Sequence, residues 1–298
     1  MIVTLDVFSG RPNPSWKLSS KDAKSFLERF AHKSVAAADQ ADNVLGYRGT
    51  VVSASSDEAL PDGLRSDFRV GGNSTADAAT ADAKRPFLSA DESDDAVLWL
   101  LSKGQHAVNE DVFSHVKDAI ESRQGISDQH PTEMADDTAV NESNRDQAAA
   151  AACIIANTAY NPGFWNVPAV QPHNNCYNYA MNFKSNTFAQ PGRITGHTYT
   201  AFTCASVSNA AAWDGCKNTC SGSNKNVALV IWPSNDFHWY RRNAEGFWSH
   251  KPGGTAVRNT DNAGVLINGT SKTPFNCNRG PYTVFCGYLF SPTGMQVK

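Results

Sequence analysis

"NVALVIWPSNDFHWYRRNAEGFWSHKPGG", residues 226–254, decides how the second half of the chain is built. Residues 227–232 form an apolar run of strand length. Residues 237–241 and 247–251 follow as two shorter runs that alternate with period two. Between them lies Asn243-Ala244-Glu245-Gly246, whose Asn and Gly suit a hairpin connection. The stretch therefore predicts a strand followed by an antiparallel hairpin. With the turn centred between Ala244 and Glu245, His238 faces about position 251, so His238 and His250 become neighbours across the ribbon. Further strands are expected at 265–267 and 282–290.

Upstream stands "QPHNNCYNYAMNFKSNTFAQPG", residues 171–192. Cys176 opens a helix there, capped by Asn174 or Asn175. A cysteine so placed is either half of a disulfide or a nucleophile. As a nucleophile it must be a thiolate, and a helix N-terminus and a nearby imidazole both favour that form. The helix amides also suit an oxyanion. His238, 62 positions later (238 minus 176), is the expected base, and His250, 12 further on, its orienter. Asp261 and Asn259 are alternative orienters. Among the nearby aromatics, Tyr177 and Trp248 are candidates for substrate binding, while Trp239 points opposite His238 into a core. Arg241 and Arg242 are expected on a solvated surface. The "SGRPNP" segment near the start is a recognition loop or a structural turn.

All seven cysteines lie at or after Cys153. Full pairing within one chain leaves one thiol over. Cys277 with Cys286 can tie a local loop, and Cys216 or Cys220 can reach Cys204. Disulfides imply an oxidising compartment, and three sequons, at Asn73, Asn141 and Asn268, permit one. "CKNTC" has metal-ligand spacing but lacks a second half-site, so no metal is expected, and no other cofactor. The formal charge of −3 gives no general pull toward nucleic acid, and no apolar run is long enough to span a bilayer. The opening "MIVTLDVFSGRPNPSW" lacks the basic and apolar regions of a signal peptide. A secreted or periplasmic protein would then need another route or a leader beyond this sequence; the alternative is a protein that works in the cytosol.

The first half reads differently. A strand is expected at 2–8, broken by "SGRPNP". A helix follows from Ser19 or Ser20 to about His32, with Ala23, Phe26, Leu27 and Phe30 on one face. A strand is expected at 44–54 and a short one near 68–70. Ser89 and Glu92 make a capping-box pattern for a helix ending at Gly104. Another helix begins after Asn109, with Val112, Phe113, Val116 and Ile120 on one stripe. Residues 126–147 are polar and read as a linker. The alanines around Cys153 suggest a short helix. The expectation is an α+β protein: a small N-terminal α/β module for targeting or binding (1–125), the linker, and a hydrolase domain (148–298).

A cysteine opening a helix, then an antiparallel sheet bearing one histidine, then a polar residue a hairpin later, resembles the papain-like peptidases of the NlpC and CHAP kind. The resemblance implies a papain-like domain in which Cys176 is the nucleophile, His238 the base and His250 the orienter. It implies amide hydrolysis, with bacterial peptidoglycan stem peptides as substrate. An immunity or carrier protein would then be a partner. "NNCYNY" stands here where that family carries a "DCSG"-like surround. A second resemblance is carried by "DVFSGRPNPSW", "NNCYNYA", "TFAQPG", "HWYR" and "WSHKPGG". These are similar to a set of bacterial, fungal and mollusc proteins that includes an insoluble shell-matrix protein. It implies extracellular deployment and brings in the alternative of a non-enzymatic matrix or carbohydrate-binding protein. A further alternative is a toxin that modifies a host protein by acyl transfer.

Overall fold

The computed structural model describes residues 1–29, 33–37, 43–55, 58–61, 64–72, 88–121 and 152–298. The expected linker, Phe30, the sequons at Asn73 and Asn141 and most of the alanine run lie outside these. Two compact units divide the chain. One is Met1–Val7 with Asn13–Ser127, the other Phe8–Pro12 with Asp128–Lys298. The five residues of the early turn thus belong to the second unit.

In the first unit, β1 (Ile2–Leu5), β2 (Ser15–Lys17), β3 (Ala36–Ala37), β4 (Thr50–Ser53) and β5 (Asp67–Val70) form one sheet. Its order is β2-β1-β4-β5-β3 and every pair is antiparallel. The unit is therefore α+β and not the expected α/β. Helix α1 (Ser20–Glu28) starts on Ser19, whose side chain accepts from the Asp22 amide, and it buries Ala23, Phe26 and Leu27. The expected long strand at 44–54 shrinks to β4, because Gly46 and Gly49 sit at φ of 100° and 117°, outside strand geometry. Helix α2 (Ala90–Lys103) has the Ser89–Glu92 capping box and ends on Gly104, and α3 (Glu110–Glu121) buries Val112, Val116 and Ile120. Asp6 is held between Arg48 and Arg69 at 2.7 and 3.1 Å. Burial pushes its carboxyl up, but the two guanidinium groups outweigh that and hold it below the usual range.

The first strand of the second unit, among the described residues, is β6 (Cys153–Ile155), where a helix was expected. Two β-branched residues and a covalent tie explain the difference. Cys153 is bonded to Cys220, which seats Cys153 beside Gly222 in a parallel pairing with β7 (Gly222–Trp232). Short helices α4 (Pro162–Trp165) and α5 (Cys176–Met181) follow, then α6 (Cys204–Asp214). Strands β8 (Asp236–Arg242), β9 (Trp248–His250) and β10 (Val284–Pro292) complete a sheet of order β10-β7-β8-β9. The expected strand at 265–267 contributes only an isolated bridge between Thr260 and Leu266.

One face of β7 and β8 packs Val227, Leu229, Ile231, Phe237 and Trp239 against Cys176, Tyr177, Ala180 and Met181 of α5. The six-residue α5 is too short to stand alone. It is held at its end by Lys225, whose Nζ donates to the Met181 carbonyl at 2.6 Å. Cys204, the first residue of α6, is bonded to Cys286, which sits at the bulge of β10 between Phe285 and Gly287. Cys176, Cys216 and Cys277 are free and buried. The pairing thus leaves three thiols over, not one, and neither expected partner for Cys204 or Cys286 is used. Among the described residues no helix is long and apolar enough to cross a membrane.

Candidate functional site

Asn175 caps α5. Its Oδ1 accepts from the amides of Tyr177 and Asn178 at 3.1 Å, and Asn178 returns a bond to the Asn175 amide, completing a capping box. This sets Cys176 at the first helical position, as its sequence context predicts. The side chain is fully buried, with Sγ 3.9 Å from the Phe237 carbonyl. Burial is the largest influence on the thiol. It raises the pKa far above the ordinary value, and Asp236 adds to the rise. Hydrogen bonds from the Trp239 amide and with the Ser9 hydroxyl pull the other way without reversing it.

The two histidines meet, by a register one residue away from the expected one. Tyr240 pairs with His250, so position 238 lies diagonal to His250. Alternation puts 238, 240 and the residue opposite 240 on one face. The expected register would have placed His250 opposite Trp239 and on the other face. His238 Nε2 is 2.9 Å from His250 Nδ1, and His250 Nε2 is 3.0 Å from the Thr260 carbonyl. A carbonyl only accepts, so His250 carries its proton on Nε2 and receives one at Nδ1 from His238. With both rings neutral, His238 Nδ1 then accepts from Ser9 Oγ at 2.5 Å. Burial, with Arg258 adding to it, lowers the His250 pKa to about 3. The tautomers of the whole line are thereby fixed.

Cys176 and His238 both reach the Ser9 hydroxyl. The thiol belongs to the cluster of Phe237 and Trp239, and alternation turns His238 away from them. Ser9 joins the two sides: its hydroxyl meets the thiol, His238 Nδ1 and the Gly253 amide, the last at 3.1 Å. β9 pairs with β8 only from Tyr240 onward, and Ser9 and Gly10 lie against the part of β8 beyond it. There the amides of Ser9 and Gly10 donate to Asp236 Oδ2 at 2.6 and 3.0 Å, and Tyr282 donates to the same oxygen at 2.5 Å. Burial raises the Asp236 carboxyl, against these bonds. Gly10 is required sterically, since a Cβ would fall 2.6 Å from the Phe237 carbonyl. The Gly10 carbonyl accepts from Asn175 Nδ2 and Gln190 Nε2, both at 2.7 Å.

The other sequence candidates lie elsewhere. The Asp261 carboxylate is taken by the amides of Ala263, Val265 and Asn278. Asn259 accepts the Ile267 amide through its backbone. The main-chain carbonyl of Thr260, between them, is the group that holds His250. Tyr177 is fully buried, donates to Asp214 at 2.9 Å and lies against Trp239. Trp248 is buried and packs on Tyr288. Arg241, expected on the surface, is buried: it stacks on Tyr179 and donates to Asn182 Oδ1 and the carbonyls of Tyr179 and Ala159. Cys204 and Cys220 are spent in disulfides. Among the described residues no group of three or more metal-ligating side chains gathers. Ser9, Gln190, Asp236 and Gly253 complete the cluster and were not anticipated as site residues. The signal for all but Asp236 lay in the motifs that carry the shell-matrix resemblance, which converge here: Ser9 and Gly10, Asn175 and Cys176, Gln190, His238, and His250 with Gly253.

No family model matches the chain, and no solved structure matches it. It is 42% identical to insoluble matrix shell protein 1 of Ruditapes philippinarum over 138 residues, which are 45% of this chain and 90% of that protein. The chain belongs to the same family as that shell-matrix protein.

Proposed function

We propose that the protein is an extracellular, disulfide-braced matrix protein that binds polysaccharide, and that its thiol–hydroxyl–imidazole cluster is a structural clasp. One observation carries this reading: Ser9, Cys176, His238 and His250 are all fully enclosed. A nucleophile needs ionisation and access, and burial denies Cys176 both. The same bonds serve a clasp well, because each buried polar atom that is paired avoids a desolvation penalty of about 1–3 kcal/mol. Two disulfides suit an oxidising compartment. The printed name of the relative, a matrix shell protein, supports the same deployment. Cosedimentation of the purified chain with insoluble polysaccharide tests it. Saturable retention that survives Cys176→Ala is expected; retention no greater than that of an unrelated protein overturns it.

A second reading, a hydrolase, rests on one observation of its own. The fixed tautomers point the line Ser9–His238–His250–Thr260 in the sense of nucleophile, base and orienter. Release of free amine from peptidoglycan or a peptide, lost in His238→Gln and in either Ser9→Ala or Cys176→Ala, would favour it over the matrix reading.

A further inference from the structure

Arg11 and Pro12, which follow Gly10 of the clasp, form one wall of a surface pocket of about 420 Å³. That volume falls in the range of roughly 300–1,000 Å³ typical of small-ligand sites. Arg11, Pro12, Gln190, Arg193, Tyr199 and Phe202 line it. Arg11 is wedged between two rings, its guanidinium carbon 4.0 Å from the centre of Phe8 and 4.9 Å from that of Phe202. Its Nε is enclosed and meets no acceptor among the described residues. Arg193 is exposed, and among the described residues no carboxylate lines the pocket. Both guanidinium groups act on the Tyr199 hydroxyl. Burial, with Asp236 adding to it, raises that group and Arg11 and Arg193 pull against the rise, leaving it at about 12. The floor is fixed: Tyr199 donates to Gln190 Oε1 at 2.8 Å, and Gln190 Nε2 donates to the Gly10 carbonyl. Helix α6 begins two residues past Phe202, which adds the positive end of its dipole nearby.

Two cations with no carboxylate among the described lining residues, beside aromatic faces, describe the missing partner. We infer that this pocket binds an acidic sugar unit of a polysaccharide chain, with Arg11 and Arg193 on its carboxylate or sulfate and Tyr199 and Phe202 against the ring. A guanidinium takes either anion through paired N–H donors. The apolar faces favour a sugar over an acidic peptide, whose carboxylates are borne on flexible stems with no ring to stack. Placing the ligand here rests on the polysaccharide-binding reading and deepens it by naming the site and the charge of the sugar.

Calorimetry on the full chain tests it with four probes of matched length: an oligogalacturonate, a sulfated oligosaccharide, a neutral oligosaccharide and an oligo-aspartate. At least one acidic sugar is expected to bind, with the neutral one weaker by about tenfold or more. Arg193→Gln and Arg11→Gln are each expected to cost about tenfold or more, while Lys217→Gln, an exposed control, leaves binding unchanged. Arg11 is packed between rings, so Arg193→Gln keeps the test valid if the other variant fails to fold. Full affinity in Arg193→Gln, equal affinity for the neutral sugar, binding by oligo-aspartate alone, or no binding by any probe would overturn the inference. Polysaccharide retention independent of Arg193 would leave the matrix reading standing, so the two failures are distinguishable.

Discussion

Ser9 Oγ stands 2.5 Å from His238 Nδ1 although 229 residues separate them in sequence. The bond ties a segment near the start of the chain to the edge of β8. It also completes a line of four polar groups that ends on the Thr260 carbonyl. Removing the Ser9 hydroxyl takes an acceptor from the Gly253 amide and a donor from His238 Nδ1 in a buried site. Ser9→Ala is expected to lower unfolding stability by about 1–3 kcal/mol. A urea midpoint equal to that of the parent would refute the clasp.

Gly10→Ala acts at the same place by a different mechanism. The added methyl meets the Phe237 ring and carbonyl at 2.5 and 2.6 Å. The Gly10 backbone is pinned by Asn175, Gln190 and Asp236, so it cannot retreat without losing those bonds. A loss of about 1–3 kcal/mol or more is expected, as for overpacking. Thermal unfolding measures it.

The sequence made much of this arrangement legible and hid three parts. Alternation and the Asn243–Gly246 turn located the hairpin, and the Asn175 cap located Cys176, because both signals are local. The caps of α1 and α2 were legible for the same reason. The register of β8 and β9 was missed by one residue, since a turn does not reveal where pairing starts. β6 was hidden because its pairing comes from a disulfide to Cys220, and Cys153 alone does not name its partner. Ser9 was quoted in a motif but could not be assigned, because no periodicity links positions so far apart.

Acid should weaken the second unit through His250. Burial, the leading cause, lowers its pKa to about 3 in the folded protein. The unfolded chain takes up the proton at about pH 6.5. Stability is therefore full above that pH and is lost as pH falls toward 3, by up to about 1.4 kcal/mol per pH unit. Chemical denaturation between pH 7 and 4 should show this slope, and His250→Gln should reduce it. An identical slope in the variant would contradict the assignment.

Each disulfide closes a long stretch, with separations of 67 and 82 residues. By loop entropy each is worth about 4 kcal/mol. Cys153 is exposed, so mild reductant should open Cys153–Cys220 first. Mass mapping after partial reduction checks the order, and prior loss of Cys204–Cys286 would count against it.

The accessibility of one sulfur bears most directly on whether the cluster is a clasp or a catalyst. Native protein at pH 7.5 is treated with iodoacetamide and mapped by mass, beside a sample unfolded in guanidinium. Cys176 should stay unmodified in the native sample while Cys176, Cys216 and Cys277 all label in the unfolded one. Rapid, selective modification of native Cys176 would mean an ionised, reachable thiol, and the clasp would have to give way to a nucleophile.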